Sequence, residues 1–227
     1  MPDIIKILTP EVSNKIAAGE VVQRPSSVLK ELLENSIDAN SSKIKIIIKN
    51  AGKNLIQVID DGIGMSRNDM YKSFIKHATS KINKIDDVFS INSMGFRGEA
   101  LAAISSVSMI EMSSAKLNEN DGYFIEINGG KVITEKELIG NKGTSVKVQN
   151  LFYNVPARRN FLKSDFVELR HIINVFNSIA LSNNEIEFSF INNDEEIFYL
   201  KKESLKKRII SIFGEKIREN LIPISED

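Results

Sequence analysis

The sequence predicts an α+β domain in which helices are layered on one largely antiparallel sheet. Three observations lead there. Apolar residues recur at helical spacing in some stretches and alternate in others, and the two kinds follow one another without strict strand–helix–strand alternation. No internal repeat, low-complexity tract or Pro/Gly-rich linker interrupts them. Composition agrees, with 42% of the 227 residues hydrophobic and 30 Lys and Arg balanced by 30 Asp and Glu. A chain of this length should bury roughly 70% of the surface its unfolded form exposes, so its core needs no disulfide or structural metal. The lack of cysteine, with His77 and His171 the only histidines, excludes disulfide scaffolds, zinc fingers, thiol catalysis and Cys/His metal cages. Ser-His chemistry lacks a recognisable serine elbow.

Taken in order, helical spacing predicts a helix over residues 25–39. After a Pro-Ser-Ser start, Val28, Leu29, Leu32, Leu33 and Ile37 return at helical spacing. Strands follow at 43–49, a β-branched run through Ile46, Ile47 and Ile48, and at 55–60, joined by a hairpin loop over 50–54. A loop rich in Gly, Asp and Ser leads to a helix near 69–76. The polar segment 77–94 has little periodicity and reads as a mobile loop or lid. A helix over 98–106 precedes three or four strands within 107–151, where Tyr123, Ile125 and Ile127 alternate, as do Val146 and Val148. A helix near 166–181, a hairpin over 185–201 turning at Asn192-Asn193, and a helix near 204–213 complete the pattern. The closing IRENLIPISED reads as an extended segment that begins without a partner. Residues 1–200 are therefore expected to form the main domain, and 201–227 the start of a second domain cut short.

The familiar G-x-x-x-x-G-K-[ST] and G-x-G-x-x-G loops are absent, so any nucleotide site must be built differently. At about 100° per residue, Asn35 falls about 40° and Asp38 about 20° to either side of Glu31 on the 25–39 helix, opposite Leu29 and Leu33. An amide oxygen can ligate a hard cation without adding charge, and a carboxylate beside it can orient or deprotonate water. Taken alone, such a stripe is usually the wet side of an amphipathic helix. A second element, Asp60-Asp61-Gly62-Ile63-Gly64-Met65, ends a strand where glycines permit close approach of a ligand; its plainer reading is an Asp-Gly turn. In the third, Gly95-Phe96-Arg97-Gly98-Glu99-Ala100-Leu101, a glycine-flanked loop enters a helix whose free N–H groups favour an anion; its plainer reading is a capped connector.

These elements in this order, with Gly143-Thr144 before a late strand, resemble the Bergerat-type ATPase fold. Within that superfamily, IAAGEVVQRPSSVLKELLENSIDA, HATSKI, GFRGEALAAISSVS and FYNVPARRNFL resemble the MutL family of DNA mismatch repair proteins, from Ile7 through at least Leu162. The resemblance implies a Bergerat-type sandwich that binds ATP and Mg2+. It makes Glu31 the general base that orients the attacking water, and Asn35 the magnesium ligand. Asp60 becomes the acceptor for the adenine amino group, with Thr144 supporting that contact and Gly64 giving the base room. Thr79, Ser80 and Lys81 fall in a lid over ATP, and Gly95, Phe96, Arg97 and Gly98 where backbone amides hold phosphates. Asp38 is expected to support this shell, Glu34 is the rival base, and His77 is expected to be packed or capping rather than a proton shuttle.

Three departures from the family pattern stand out. Asn40 follows Ala39 where many relatives have glycine, but Asn also tolerates a left-handed helix end. Val155 replaces a threonine. The second-domain lysine that reaches the terminal phosphate, and the carboxy-terminal dimerisation region, are expected to lie beyond Asp227. The resemblance further implies slow ATP hydrolysis, ATP-dependent pairing of two copies through an arm at residues 1–22, and work with a mismatch-recognition protein and downstream repair enzymes. The plainer reading of that arm is a helix tucked on its own domain.

Rival readings remain in view: a nucleotide-binding module without turnover, and the ATPase domain of a type II topoisomerase, which HATSK and FYNVPARR disfavour. A histidine kinase is weaker still, since no histidine precedes Glu31. Zero net charge argues against a domain built to coat nucleic acid. Weak nonspecific DNA binding is nonetheless allowed by a strip of Arg158, Arg159, Lys163, Lys201, Lys202, Lys206, Lys207 and Arg208, whose plainer reading is a solvated charge run. No apolar run approaches the ~18 residues of a membrane span, and the start lacks a signal peptide's features, so a cytoplasmic location without membrane contact is expected.

Overall fold

A computed structural model of the chain describes residues 7, 9–79, 94, 98–116, 121–140 and 142–222. Helices α1 (Pro10–Val21) and α2 (Pro25–Asp38) precede the hairpin β1 (Lys43–Lys49) and β2 (Leu55–Asp60). Short helices α3 (Arg67–Lys72) and α4 (Ala100–Ser106) lead to β3 (Met109–Ala115), β4 (Asp121–Asn128), β5 (Lys131–Ile139) and β6 (Gly143–Gln149). Then come α5 (Pro156–Phe161), α6 (Asp165–Ser182), β7 (Glu187–Asn192), β8 (Glu195–Leu200) and α7 (Leu205–Phe213). The eight strands form one sheet in the order β5-β4-β3-β6-β2-β1-β7-β8. Neighbours are antiparallel except β1 and β7, which run parallel. The expected α+β sandwich is what the chain forms.

Period-two alternation sends Ile44, Ile46 and Ile48 of β1, Ile56 and Val58 of β2, Ile110 and Met112 of β3, and Val146 and Val148 of β6 into a single core. There they meet Val28, Leu29, Leu32 and Leu33 of α2 and Ile172, Phe176 and Ala180 of α6. Polar residues occupy the other face, where Lys147 pairs with Glu111 at 3.0 Å and Gln57 donates to Ser145 Oγ at 3.1 Å. One face buried and one wet is the usual economy of an antiparallel sheet. Among the described residues no helix is long and apolar enough to cross a membrane.

Several local expectations shift. The β7–β8 hairpin turns at Asn193-Asp194, one residue later than the pattern suggests. These two residues take φ of 48° and 69°, as a two-residue turn matching the strand twist requires, and Asn192 stays in its strand. Helix α3 starts earlier than expected because the Ser66 hydroxyl accepts the Asp69 N–H at its N-terminus. Of the stretch 217–227 expected to be extended, 217–220 belong instead to a 3-10 helix at Glu215–Asn220, reached through Gly214 at φ 88° and tied by Arg218 to Glu215 at 3.1 Å, while 223–227 lie outside the described residues. At the other end, Ala18 of α1 and Val22 just beyond it lie in the core.

The basic strip does not hold together as a surface. Arg208 is fully buried, and its guanidinium donates to the carbonyls of Ala180 (2.8 Å), Asn184 (3.1 Å), Ile186 (2.8 Å) and Lys201 (2.8 Å). Glu203 stands 3.4 Å from its Nε, and the Phe188 ring lies beneath it. Arg158 is also turned inward, stacked on Phe152 and donating to the Val22 carbonyl. Both are committed to fixing helices, which removes them from any DNA-facing row.

Candidate functional site

Helix α2 carries the predicted polar face. Pro25 at its first turn sets the start, and Asn40 at φ 55° supplies the left-handed end that the sequence allowed. Glu31, Asn35 and Asp38 are half-buried along it, while Leu32, Leu33 and Ser36 are buried. Glu34, the rival base, is drawn to Lys30 at 3.3 Å. Asp38 accepts the Met94 N–H at 3.2 Å, tying the helix to a residue just before the 95–98 loop.

Strand β2 ends at Asp60, whose carboxylate is the centre of the polar network. One oxygen accepts the N–H of Gly62 at 3.0 Å and of Thr144 at 3.2 Å, and the other accepts the Ser36 hydroxyl at 2.9 Å. Burial disfavours the charged form and raises the Asp60 pKa above the ordinary aspartate value, with these three hydrogen bonds acting in the opposite direction. A carboxylate has about four acceptor positions, so capacity remains for another donor. Register explains the placement: Asp60 faces Thr144 across β2 and β6, and Thr144 faces Ser114 across β6 and β3. The Ser114 hydroxyl sits 2.9 Å from Thr144 Oγ1 and accepts the Met65 N–H at 2.9 Å.

Asp61 anchors the same loop on its other side. Despite some burial, the Ser42 hydroxyl and the Ser42 and Lys43 N–H groups hold its carboxyl below the ordinary range, at 2.5, 2.7 and 2.9 Å. The α2–β1 junction and the 60–64 loop are thereby locked, since Ile63 N–H also donates to the Ala39 carbonyl at 2.9 Å. Gly64 has φ 68°, and a Cβ there would meet the Ala115 carbonyl oxygen at 1.9 Å, so the chain's own backbone requires glycine at this position.

Sequence reasoning named Glu31, Asn35, Asp60, Gly64 and Thr144; the structure places the first two on one helix and joins Asp60 directly to Thr144. Thr79 and Gly98 are described and half-buried, on loops that abut, whereas Ser80, Lys81, Gly95, Phe96 and Arg97 lie outside the described residues. His77 is not packed: its side chain is 78% exposed and its Nδ1 lies 3.0 Å from Glu99. Ser36 and Ser114 were missed. Each sits where periodicity calls for an apolar residue, Ser36 seven after Leu29 and Ser114 two after Met112, and a small polar residue on a buried face was the available signal. Among the described residues no cluster of three His, Cys, Asp or Glu could hold a metal ion. A divalent cation here would depend on few protein ligands.

This arrangement joins a desolvated carboxylate suited to an amino-group donor with a half-buried Glu–Asn pair. Comparison with known proteins points the same way. Residues 23–151, which include Glu31, Asn35, Asp60 and Thr144, match the family described as histidine kinase-, DNA gyrase B- and HSP90-like ATPase. Over all 227 residues the chain is 52% identical to the DNA mismatch repair proteins MutL of Christiangramia forsetii and of Flavobacterium psychrophilum. It spans 37% of the length of each of these relatives. The ATPase domain of Aquifex aeolicus MutL, solved in complex with ADP, is 33% identical with a TM-score of 0.69, and the match covers 85% of this chain and 70% of that one. The chain therefore belongs to the histidine kinase-, DNA gyrase B- and HSP90-like ATPase family, as an ATPase domain of the MutL type.

Proposed function

We propose that this domain binds ATP and hydrolyses it slowly with magnesium, as the nucleotide-driven part of a mismatch repair protein. The observation that carries the reading is Asp60, a carboxylate kept at the end of β2 at a desolvation cost and held by Ser36, Gly62 and Thr144. Such a group suits an adenine amino donor, and the ADP-bound Aquifex relative has the same fold. Glu31 is the general base for the attacking water. Asn35 would hold Mg2+ through its amide oxygen; this hard, neutral donor suits a cation that keeps several waters and takes one or two protein ligands beside phosphates. Magnesium would supply charge neutralisation at the phosphates. Thr144 and Ser114 orient Asp60 and the 64–65 backbone through the register they share.

For the whole protein, we further propose pairing of two copies on ATP binding and action with a mismatch-recognition partner. The chain matches about a third of its relatives, so the remainder would supply much of that contact surface.

The separating experiment is Glu31→Ala assayed for both binding and turnover. Removal of a general base is expected to lower kcat by about 10²–10⁴-fold, while the ATP Kd changes by less than about threefold because Glu31 acts on water rather than on the base or ribose. Turnover equal to that of the unaltered protein would remove Glu31 from the chemistry. Lost binding would make it part of the pocket instead.

A further inference from the structure

We propose that His77 and Glu99 are positioning residues that set the separation of the two loops expected to hold the ATP phosphates, an inference that rests on the ATP-binding reading above. Three features meet at this point. The His77 Nδ1 lies 3.0 Å from Glu99 Oε1, a distance at which an imidazole N–H donates to a carboxylate. His77 holds a left-handed backbone at φ 62°, uncommon for a residue other than glycine, which aims its ring across to the second loop. One residue further on each strand of chain, the loops touch: Gly98 has φ 62°, and a Cβ there would meet the Ala78 carbonyl oxygen at 2.4 Å. Gly98 thus permits the approach, and the His77–Glu99 pair limits it.

The pair sits between residues that the family resemblance gives to the nucleotide, Thr79 next to His77 by two and Gly98 next to Glu99. Neither His77 nor Glu99 is needed for the core: both side chains lie outside it, with 78% and 32% of their surface exposed. Helix α4 begins immediately after Glu99, and its Ala103 N–H donates to the Glu99 carbonyl at 2.8 Å. The start of that helix is therefore referenced to His77 through the His77–Glu99 side-chain contact. A shift of either loop would move Thr79 and Gly98 without disturbing Asp60, which is anchored separately by Ser36, Gly62 and Thr144.

The test compares ATP with adenosine, which is expected to engage Asp60 but carries no phosphate, by calorimetric titration of the unaltered chain, His77→Asn, Glu99→Ala, and the exchanged pair His77→Asp with Glu99→Lys. Asn and Asp both tolerate the left-handed backbone. Each single change is expected to weaken ATP by about 1.5- to fivefold, the range for a solvent-exposed polar pair, leave adenosine unchanged, and be reversed in the exchanged pair. ATP affinity unaltered in the single variants would overturn the proposal while leaving the nucleotide site intact. A parallel loss of adenosine would overturn it too, by making the pair a support of the fold. ATP failing to bind the unaltered chain would end both this proposal and the function reading.

Discussion

Asp60→Asn is expected to abolish measurable ATP binding while raising the melting temperature of the free domain. The carboxylate is desolvated, so its pKa lies above the ordinary aspartate value. A group with a raised pKa in the folded state contributes stability below the unfolded pKa and loses it as pH rises through the folded value. At neutral pH the ionised Asp60 is therefore a net cost, which a neutral amide removes. The Asn oxygen would still accept from Gly62 and Thr144, and its NH2 would face the Ser36 hydroxyl, which can rotate to accept. Each 1 kcal/mol of relief would raise Tm by about 2–4 °C in a domain of this size. The same NH2 would meet the adenine amino group donor to donor, so binding is lost. By the same logic, ATP affinity of the unaltered protein falls as pH drops through the raised Asp60 value. A lower Tm together with retained ATP binding would show that Asp60 is a structural acceptor only. Gains in stability on removing a functional charge are a common mark of a binding site.

Arg208→Met is expected to be the most damaging single change outside the site. The guanidinium serves four carbonyls, from the end of α6, the approach to β7 and the residue after β8, with Glu203 beside it. Methionine fills much of the volume but leaves those acceptors without donors and the Glu203 charge without its partner. Breaking a buried charged network in this way costs about 3–5 kcal/mol, or a fall in Tm of roughly 6–20 °C. Denaturant melts of the variant would show it as a lower midpoint with unchanged slope. Arg208→Lys should recover part of the loss, since an ammonium offers three donors without the planar fork. A stability within about 0.5 kcal/mol of the unaltered protein would mean that water replaces the guanidinium at little cost.

How much of this was legible beforehand depends on what each residue type announces. The strands at 43–49 and 55–60 and helix α2 were read almost to the residue because β-branched alternation and helical spacing are strong, local signals. The β7–β8 turn was placed one residue early because Asn192, Asn193 and Asp194 all favour turns, and only strand pairing selects which two take the left-handed backbone. A run of Lys and Arg suggests a surface place for Arg208; its burial comes from α6, the approach to β7 and the residue after β8 converging on it. Glu31, Asn35 and Asp60 could be named from motif order. Ser36 and Ser114 could not be ranked, since a serine on an apolar face is common and its partner is set by sheet register.

Asp60 is proposed to accept a hydrogen bond from the amino group of adenine. The most direct measurement is a calorimetric titration of the chain with ATP and with inosine triphosphate, which replaces that amino group with a carbonyl oxygen, at equal magnesium. Saturable ATP binding with inosine triphosphate weaker by ~10²-fold or more is predicted, because the partly buried carboxylate would face an acceptor instead of a donor. Equal affinity for the two would contradict the account.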